Sequence, residues 1–458
     1  MKRRELAQGL ALAGTILGTA AGLPAPARAQ APAQQRGGGG AEGWATAWTG
    51  SAQGPYPVGN PSAQPNQSFA FPSPAEGARD QSFRLVLRPD LWGRRARLRF
   101  SNAFGTRPLQ IASVHAGLHW GGAALLPGSN RPVTFGGAAS ASIPPGGQLW
   151  SDAVDLPFAA EPDAALLAGR KLAISFHVAG PSGPMTWHAK ALQTSYVSPP
   201  GSGDHAAEES EAAFPYSTAS WFFLDAVDMT APAGTPVVLC FGDSITDGTA
   251  STMNGDDRWP DVLARRLHAT LGNRVAVVNA GIGGNQVVGP AEYSAEKPFP
   301  GGPSALARLE RDIISLSGIR TVVWLEGTND FSRNGNASFE AVRDGMRQGV
   351  ERLRAAIPGI RLVGATVTPA LGSSSPAHGH AEQEEKRRQL NAFIRESGLF
   401  DAVVDFDTAT RDPASGGLKP EMVPDSTTGA AGDKLHPNRA GYLAMGFAVP
   451  PAAVLPQG

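Results

Sequence analysis

The feature that most constrains this chain is a change of hydrophobic period at Ala231-Pro232-Ala233-Gly234. Before it, side chains alternate in short runs. Phe83, Leu85 and Leu87 interleave with Arg84 and Val86, and Ala96, Leu98 and Phe100 with Arg97 and Arg99. Leu172, Ile174, Phe176 and Val178 repeat the pattern, with Ser175 and His177 between them. A period of two sends successive side chains to opposite faces of a strand. Turn clusters such as Pro144-Pro145-Gly146-Gly147 and Pro181-Ser182-Gly183-Pro184 separate the runs. Many short strands so punctuated predict an antiparallel β-sandwich, jelly-roll-like, over residues 44–230.

After the break, short apolar runs alternate with helical patterns. Pro236 to Phe241 suits a buried parallel strand. A helix follows, with Pro260 in its first turn, Leu263, Leu267 and Leu271 along one face, and Gly272 at its end. Further strands are expected at 275–278, 321–325, 361–367 and 402–406, with helical patterns at 306–316, 339–357 and 381–396 and a last helix starting near Asn438. Five strands alternating with helices predict a parallel sheet covered on both faces, a flavodoxin-like three-layer α/β domain over 231–458. Sites in such sheets lie beyond the carboxyl ends of the strands.

The N-terminus has the composition of an export signal. Lys2, Arg3 and Arg4 precede a 15-residue stretch, Gly9 to Leu23, that is nearly free of polar side chains, and Ala27-Arg28-Ala29 supplies a small-x-small cleavage pattern. Residues 1–29 are thus expected to be removed on the way to a secreted or periplasmic location, by the Sec or the twin-arginine route. Residues 30–43, with four consecutive glycines, read as a linker. No other segment is long and apolar enough to cross a membrane. The formal net charge of −1 gives no electrostatic case for nucleic acid or an anionic membrane surface. The single cysteine, Cys240, excludes an intramolecular disulfide, and its place inside a strand reads as a buried, inert thiol.

Four segments carry chemistry. Gly242-Asp243-Ser244-Ile245, Asn279-Ala280-Gly281-Ile282-Gly283-Gly284 and Gly327-Thr328-Asn329-Asp330 follow the first three strands, and Asp433-Lys434-Leu435-His436-Pro437 precedes the last helix. A serine hydroxyl needs a base to take its proton, and a histidine base needs a carboxylate on its other ring nitrogen. Among nine histidines, only His436 has an acidic residue three positions before it. Gly284 allows close backbone approach, so that its N–H can face an oxyanion, and the Asn329 amide can add a second donor. Each segment alone also reads as a turn, a cap or a surface loop. His378 and His380 lack a nearby cysteine or carboxylate to complete a metal site and read as a solvated loop. Seven of nine tryptophans precede residue 231 and read as sandwich core, with one or two free to stack on sugar rings.

In order and content these segments resemble the sequence blocks of the SGNH (GDSL) hydrolases, and the β-rich first half is similar to that of secreted bacterial members. The match runs from 236 to about 448, with Ile245 where many members have Leu. The resemblance implies an esterase with Ser244 as nucleophile, Asp433 and His436 as its base pair, and an oxyanion hole of the Ser244 and Gly284 N–H groups and Asn329. It implies hydrolysis of carboxylic esters through an acyl-enzyme, with no metal or organic cofactor. The substrate is expected to be a small-molecule or carbohydrate ester, O-acetyl groups among them. A lipase or phospholipase and a catalytically inactive carbohydrate-binding protein stand as alternatives.

Overall fold

The computed structural model describes residues 42–159, 165–294 and 296–455. The expected leader (1–29) and the linker up to residue 41 lie outside the described residues. Glu42 and Gly43, assigned above to the linker, instead open the first strand, Glu42–Thr49.

The first half is built of antiparallel sheets. One runs in the order Glu42–Thr49, Leu224–Pro232, Arg95–Ser101, Val154–Asp155. Another runs Tyr216–Thr218, Ser195–Val197, Gln81–Leu87, Leu172–Val178, Leu109–Gly121, Ala124–Leu125. Their inner faces meet through Phe100 and Phe176, edge to face at 5.2 Å, and Phe83 stacks on Phe176 at 5.1 Å. Trp48, Trp92, Trp187 and Trp221 are buried here, Trp44 and Trp150 flank Arg97, and Trp120 is exposed.

The period-two runs do not place their polar residues in water. Arg84 is fully buried, donating from Nε to Ser175 Oγ (2.9 Å) and from Nη1 to Ser210 O (3.0 Å), with its guanidinium over Phe214. The segment around residues 204–214 therefore covers that outer face. The polar face of the other sheet packs on the second half of the chain. Arg99 Nε donates to Asp225 Oδ1 (2.6 Å) while its Nη1 and Nη2 reach Ser315 Oγ (2.8 Å) and Arg311 O (3.0 Å). Arg97 and Ser317 both bond Asp228 Oδ2. Breaking one partner of such a buried pair costs about 3–5 kcal/mol, because the other charge is left uncompensated. One apolar core runs through both halves, from Ala45 and Phe83 to Val350 and Leu390, and the two halves form a single compact unit.

In the second half, Val237–Gly242 pairs in parallel with Ala276–Gly281 and with Ile319–Leu325; Arg361–Ala365 and Ala402–Val404 follow. The strand order is second, first, third, fourth, fifth, the flavodoxin order, whose switch point lies beside the first strand. Val237, Leu239 and Phe241 face one core and Val238 and Cys240 the other, which is why the run is apolar throughout. Cys240 is buried, and burial pushes its thiol pKa up. Helices Trp259–Leu271, Phe339–Ala356 and Ala381–Glu396 cover the sheet at the positions their patterns indicate. The 306–316 pattern differs: Ala305–Leu309 is α-helical and Glu310–Ile314 opens into a π-helical turn. No helix among the described residues is long and apolar enough to cross a membrane.

Candidate active site

The first strand ends at Gly242, and the chain turns at once into the short helix Ser244–Asp247. Asp243 caps that helix, its Oδ1 accepting from Ile245 N at 2.9 Å. The turn sits directly on the end of the second strand: a Cβ at Gly281 would lie 2.2 Å from Asp247 N. Glycine there lets the serine stand at the sheet edge. Ser244 Oγ is 2.8 Å from His436 Nε2, and Asp433 Oδ2 accepts from His436 Nδ1 at 2.6 Å. Asp433 Oδ1 also accepts from the N–H groups of Leu435 and His436, both at 2.9 Å. Burial works against the charge of Asp433, but the imidazole hydrogen bond, the histidine charge and these two N–H groups outweigh it. Its carboxyl is held well below the usual carboxylate range. A donor on Nδ1 leaves Nε2 free to accept from the serine hydroxyl.

Gly284 has φ +85°, a left-handed conformation that suits glycine. Asn329 is buried, and its Nδ2 donates to Asn285 O at 2.9 Å. Ser244, Gly284, Asn329, Asp433 and His436 all line one cavity of about 350 Å³. The five residues singled out in the sequence are thus brought together.

Buried charges the sequence did not single out tie the loops to one another. Arg308 donates to Gly242 O (2.9 Å), Ala280 O (2.8 Å) and Asn285 Oδ1 (2.7 Å), and its guanidinium lies 3.8 Å from the Phe241 ring centre. Asp330 accepts from Val287 N (2.9 Å) and Val288 N (3.1 Å), joining the third segment to the second. Asp247 Oδ2 accepts from Gly283 N at 2.9 Å. Burial pushes Asp330 up to about 7 despite those N–H donors, and Glu326 is also pushed up to about 7 by burial against the opposing pull of Arg308.

His378 corrects the sequence reading. It is half-buried and lines the cavity, and its Nδ1 stands 2.9 Å from Gln383 Nε2. Burial, and then the nearby His436 charge, push it down to about 4, so the ring is neutral at neutral pH. His380 instead caps the helix Ala381–Glu396, accepting from Gln383 N at 3.2 Å. Among the described residues no group of three or more His, Cys, Asp or Glu side chains is placed to hold a metal ion. Two cavity residues, Asn60 and Lys190, come from the β-rich half. Alternation alone gave no reason to single out either.

A family model described as the GDSL-like lipase/acylhydrolase family matches residues 240–444, which contain all of the loops that build the cavity's reactive edge. The match spans a little under half of the chain, residues 240–444, and leaves the β-rich half outside it. The GDSL domain is a serine hydrolase of carboxylic esters. Among solved structures, the chain is similar to a carbohydrate acetylesterase from Sinorhizobium meliloti, with 18% identity, a TM-score of 0.35, and coverage of 46% of this chain and 95% of that one. It is also similar to the native aryl esterase of M. smegmatis, with 19% identity, a TM-score of 0.35 and the same coverage. A GDSL-like lipase from Bacteroides thetaiotaomicron matches at 20% identity and a TM-score of 0.34, over 48% of this chain and 88% of that one. No curated protein matches the chain.

Proposed function

We propose that the protein is an exported esterase that removes short acyl groups, O-acetyl above all, from carbohydrate through an acyl-enzyme at Ser244. The observation that carries this reading is the unbroken chain from Ser244 Oγ through His436 to Asp433, opening into a cavity whose wall mixes amide and hydroxyl side chains with Phe299, Pro300 and Leu435. In this reading His436 Nε2 takes the hydroxyl proton as Ser244 Oγ attacks the carbonyl carbon. The Ser244 and Gly284 N–H groups and the Asn329 amide receive the oxyanion. The imidazolium then gives its proton to the departing alkoxide, and water attacks the acyl-enzyme by the same route to release the acid. Asp433 stays ionised and stabilises the imidazolium.

Asn60, Gln286, Asn334 and Ser375 on the cavity wall suit a hydroxylated substrate. The volume is near the lower end of small-molecule pockets, about 300–1,000 Å³, which suits a short acyl chain. Phe299, Pro300 and Leu435 give the cavity an apolar strip that can hold a short acyl chain, whereas the exposed large apolar residues that a lipase could use to meet a lipid surface, Phe69, Trp120, Leu166, Leu443 and Phe447, are not among its lining. The connected triad weighs against an inactive binding protein. Export rests on the basic and apolar pattern of residues 1–29. Initial rates across aryl esters from acetate to laurate, with acetate release from acetylated glycans, test the reading. Short acyl chains and acetylated glycans should be turned over fastest, whereas a maximum at long chains would replace it with a lipase. A mature N-terminus at Gln30 in the exported protein checks the leader.

A further inference from the structure

The wall of the cavity that comes from the β-rich half contains a buried cation. Lys190 follows the strand Thr186–His188 and is only 4% exposed. Its ammonium donates to Thr249 Oγ1 and lies against Gly283, where a built Cβ would be 3.0 Å from Nζ. That puts the charge one residue from Gly284, inside the space that also holds Ser244. No carboxylate among the described residues is within ion-pair distance of it. The acidic groups that do act on it from further away are committed elsewhere. Asp247 accepts from Gly283 N and faces His188, and Asp433 is bonded to His436. Asp243 caps Ile245, and burial drives its carboxyl toward the protonated form. Arg258 adds a like charge.

Burial is thus the largest influence on Lys190, and it lowers the ammonium pKa. A lysine ammonium has three donors, and buried charges are normally paired. Here one hydroxyl takes one donor, and because Lys190 lines the cavity a group bound there can meet the others. The neighbouring Asn60 is tied to the same loop, its Nδ2 donating to Gly283 O (2.8 Å) and Pro300 O (3.3 Å). We propose that Lys190 is the counter-ion for a carboxylate that the substrate carries next to its scissile ester. The proposal rests on ester hydrolysis at Ser244 and adds the charge of the substrate. The carboxylate belongs either to the acyl group or to the alcohol, as in an acetylated uronic acid.

Both sources are tested by paired esters of matched size. The 4-nitrophenyl monoester of succinate against 4-nitrophenyl butyrate places the charge on the acyl side, and O-acetylated glucuronate against O-acetylated glucose places it on the alcohol side. The full-length enzyme should show a higher kcat/KM for the charged member of one pair. In Lys190→Met that ratio should fall by about 10- to 100-fold, the size of a lost charge-assisted hydrogen bond, and Lys190→Arg should recover part of it. No charge preference in either pair, or a ratio that Lys190→Met leaves unchanged, overturns the proposal while ester hydrolysis stands. If neither member of any pair is turned over, the esterase reading fails instead. Calorimetric binding of glucuronate against glucose to the same proteins then decides the role of Lys190: tighter binding of glucuronate that Lys190→Met abolishes supports it, and equal binding refutes it.

Discussion

Asn329→Ala removes an amide that the structure uses in one place and the chemistry is expected to use in another. One N–H of Nδ2 goes to Asn285 O at 2.9 Å, and the residue also lines the cavity beside Ser244. The first interaction is an ordinary buried hydrogen bond, so its loss costs about 0.5–1.5 kcal/mol of stability. In a chain of this size that lowers Tm by no more than a few degrees. The second is an oxyanion contact, made in full only in the transition state, and losing such a donor lowers kcat by about 10²–10³. Because the donor acts on charge that the ground state does not carry, KM should change far less. Asn329→Asp keeps the volume but turns a donor into an acceptor facing Asn285 O, so its kcat should fall at least as far with a larger loss of Tm. Steady-state rates on a short-chain aryl ester and a thermal melt of the same samples separate the two effects. A lowered Tm with unchanged kcat would refute the oxyanion role and leave Asn329 as a tie between loops.

Asp433→Asn keeps the volume of the carboxylate but cannot stabilise an imidazolium, and kcat should fall by up to about 10⁴ across the pH plateau; a variant with wild-type kcat shows that His436 needs no carboxylate. Because the carboxyl of Asp433 is held well below its unfolded value, its contribution to stability is present above about pH 4 and is lost as pH falls further, and denaturant midpoints below pH 4 should shift less in Asp433→Asn than in wild type. Glu326 behaves in the opposite sense. Its Oε1 has no hydrogen-bond partner and its carboxyl is pushed up to about 7, so between about pH 4 and 7 the unfolded chain ionises a group that the folded protein keeps protonated. Stability should fall with rising pH there, by at most about 1.4 kcal/mol per pH unit from this one group, and Glu326→Gln should flatten that slope; an unchanged slope assigns it to other carboxyls. Gly284→Ala forces a side chain into φ +85°, 2.5 Å from Asn60 Nδ2, and should lower both Tm and kcat, whereas a variant with wild-type kcat means that the Gly284 N–H is not an oxyanion donor.

The parallel sheet was legible because its signals are local. The apolar runs at 236–241 and 321–325, Pro260 and Gly272 at the two ends of one helix, and the 3.6-residue spacing of Phe339 to Ile357 each point to a single element. The site was legible because the strand-end rule brings three separated segments to one edge, and the three-residue spacing of Asp433 and His436 marked the base pair that joins them. What escaped was whatever depends on contacts distant in sequence. Arg84, Arg97 and Arg99 alternate as residues facing water would, and nothing local distinguishes water from the 204–214 segment or from the Arg311–Ser317 turn that covers them. His378 is beside the cavity because Gln383, on the following helix, holds its ring, and Lys190 is there because the β-rich half packs against the Gly283 loop. The π-helical turn at Glu310–Ile314 keeps the apolar spacing of an α-helix, so periodicity alone could not reveal it.

Ser244 as the attacking oxygen is the claim on which the rest depends. Treating the protein with a fluorophosphonate and mapping the adduct by peptide mass spectrometry tests it most directly, with residual esterase activity followed in parallel. The account predicts a single adduct, on Ser244, accumulating in step with the loss of activity and absent from a folded, inactive Ser244→Ala. An adduct on any other serine, or a Ser244→Ala enzyme that still turns over aryl acetate near the wild-type rate, would contradict it.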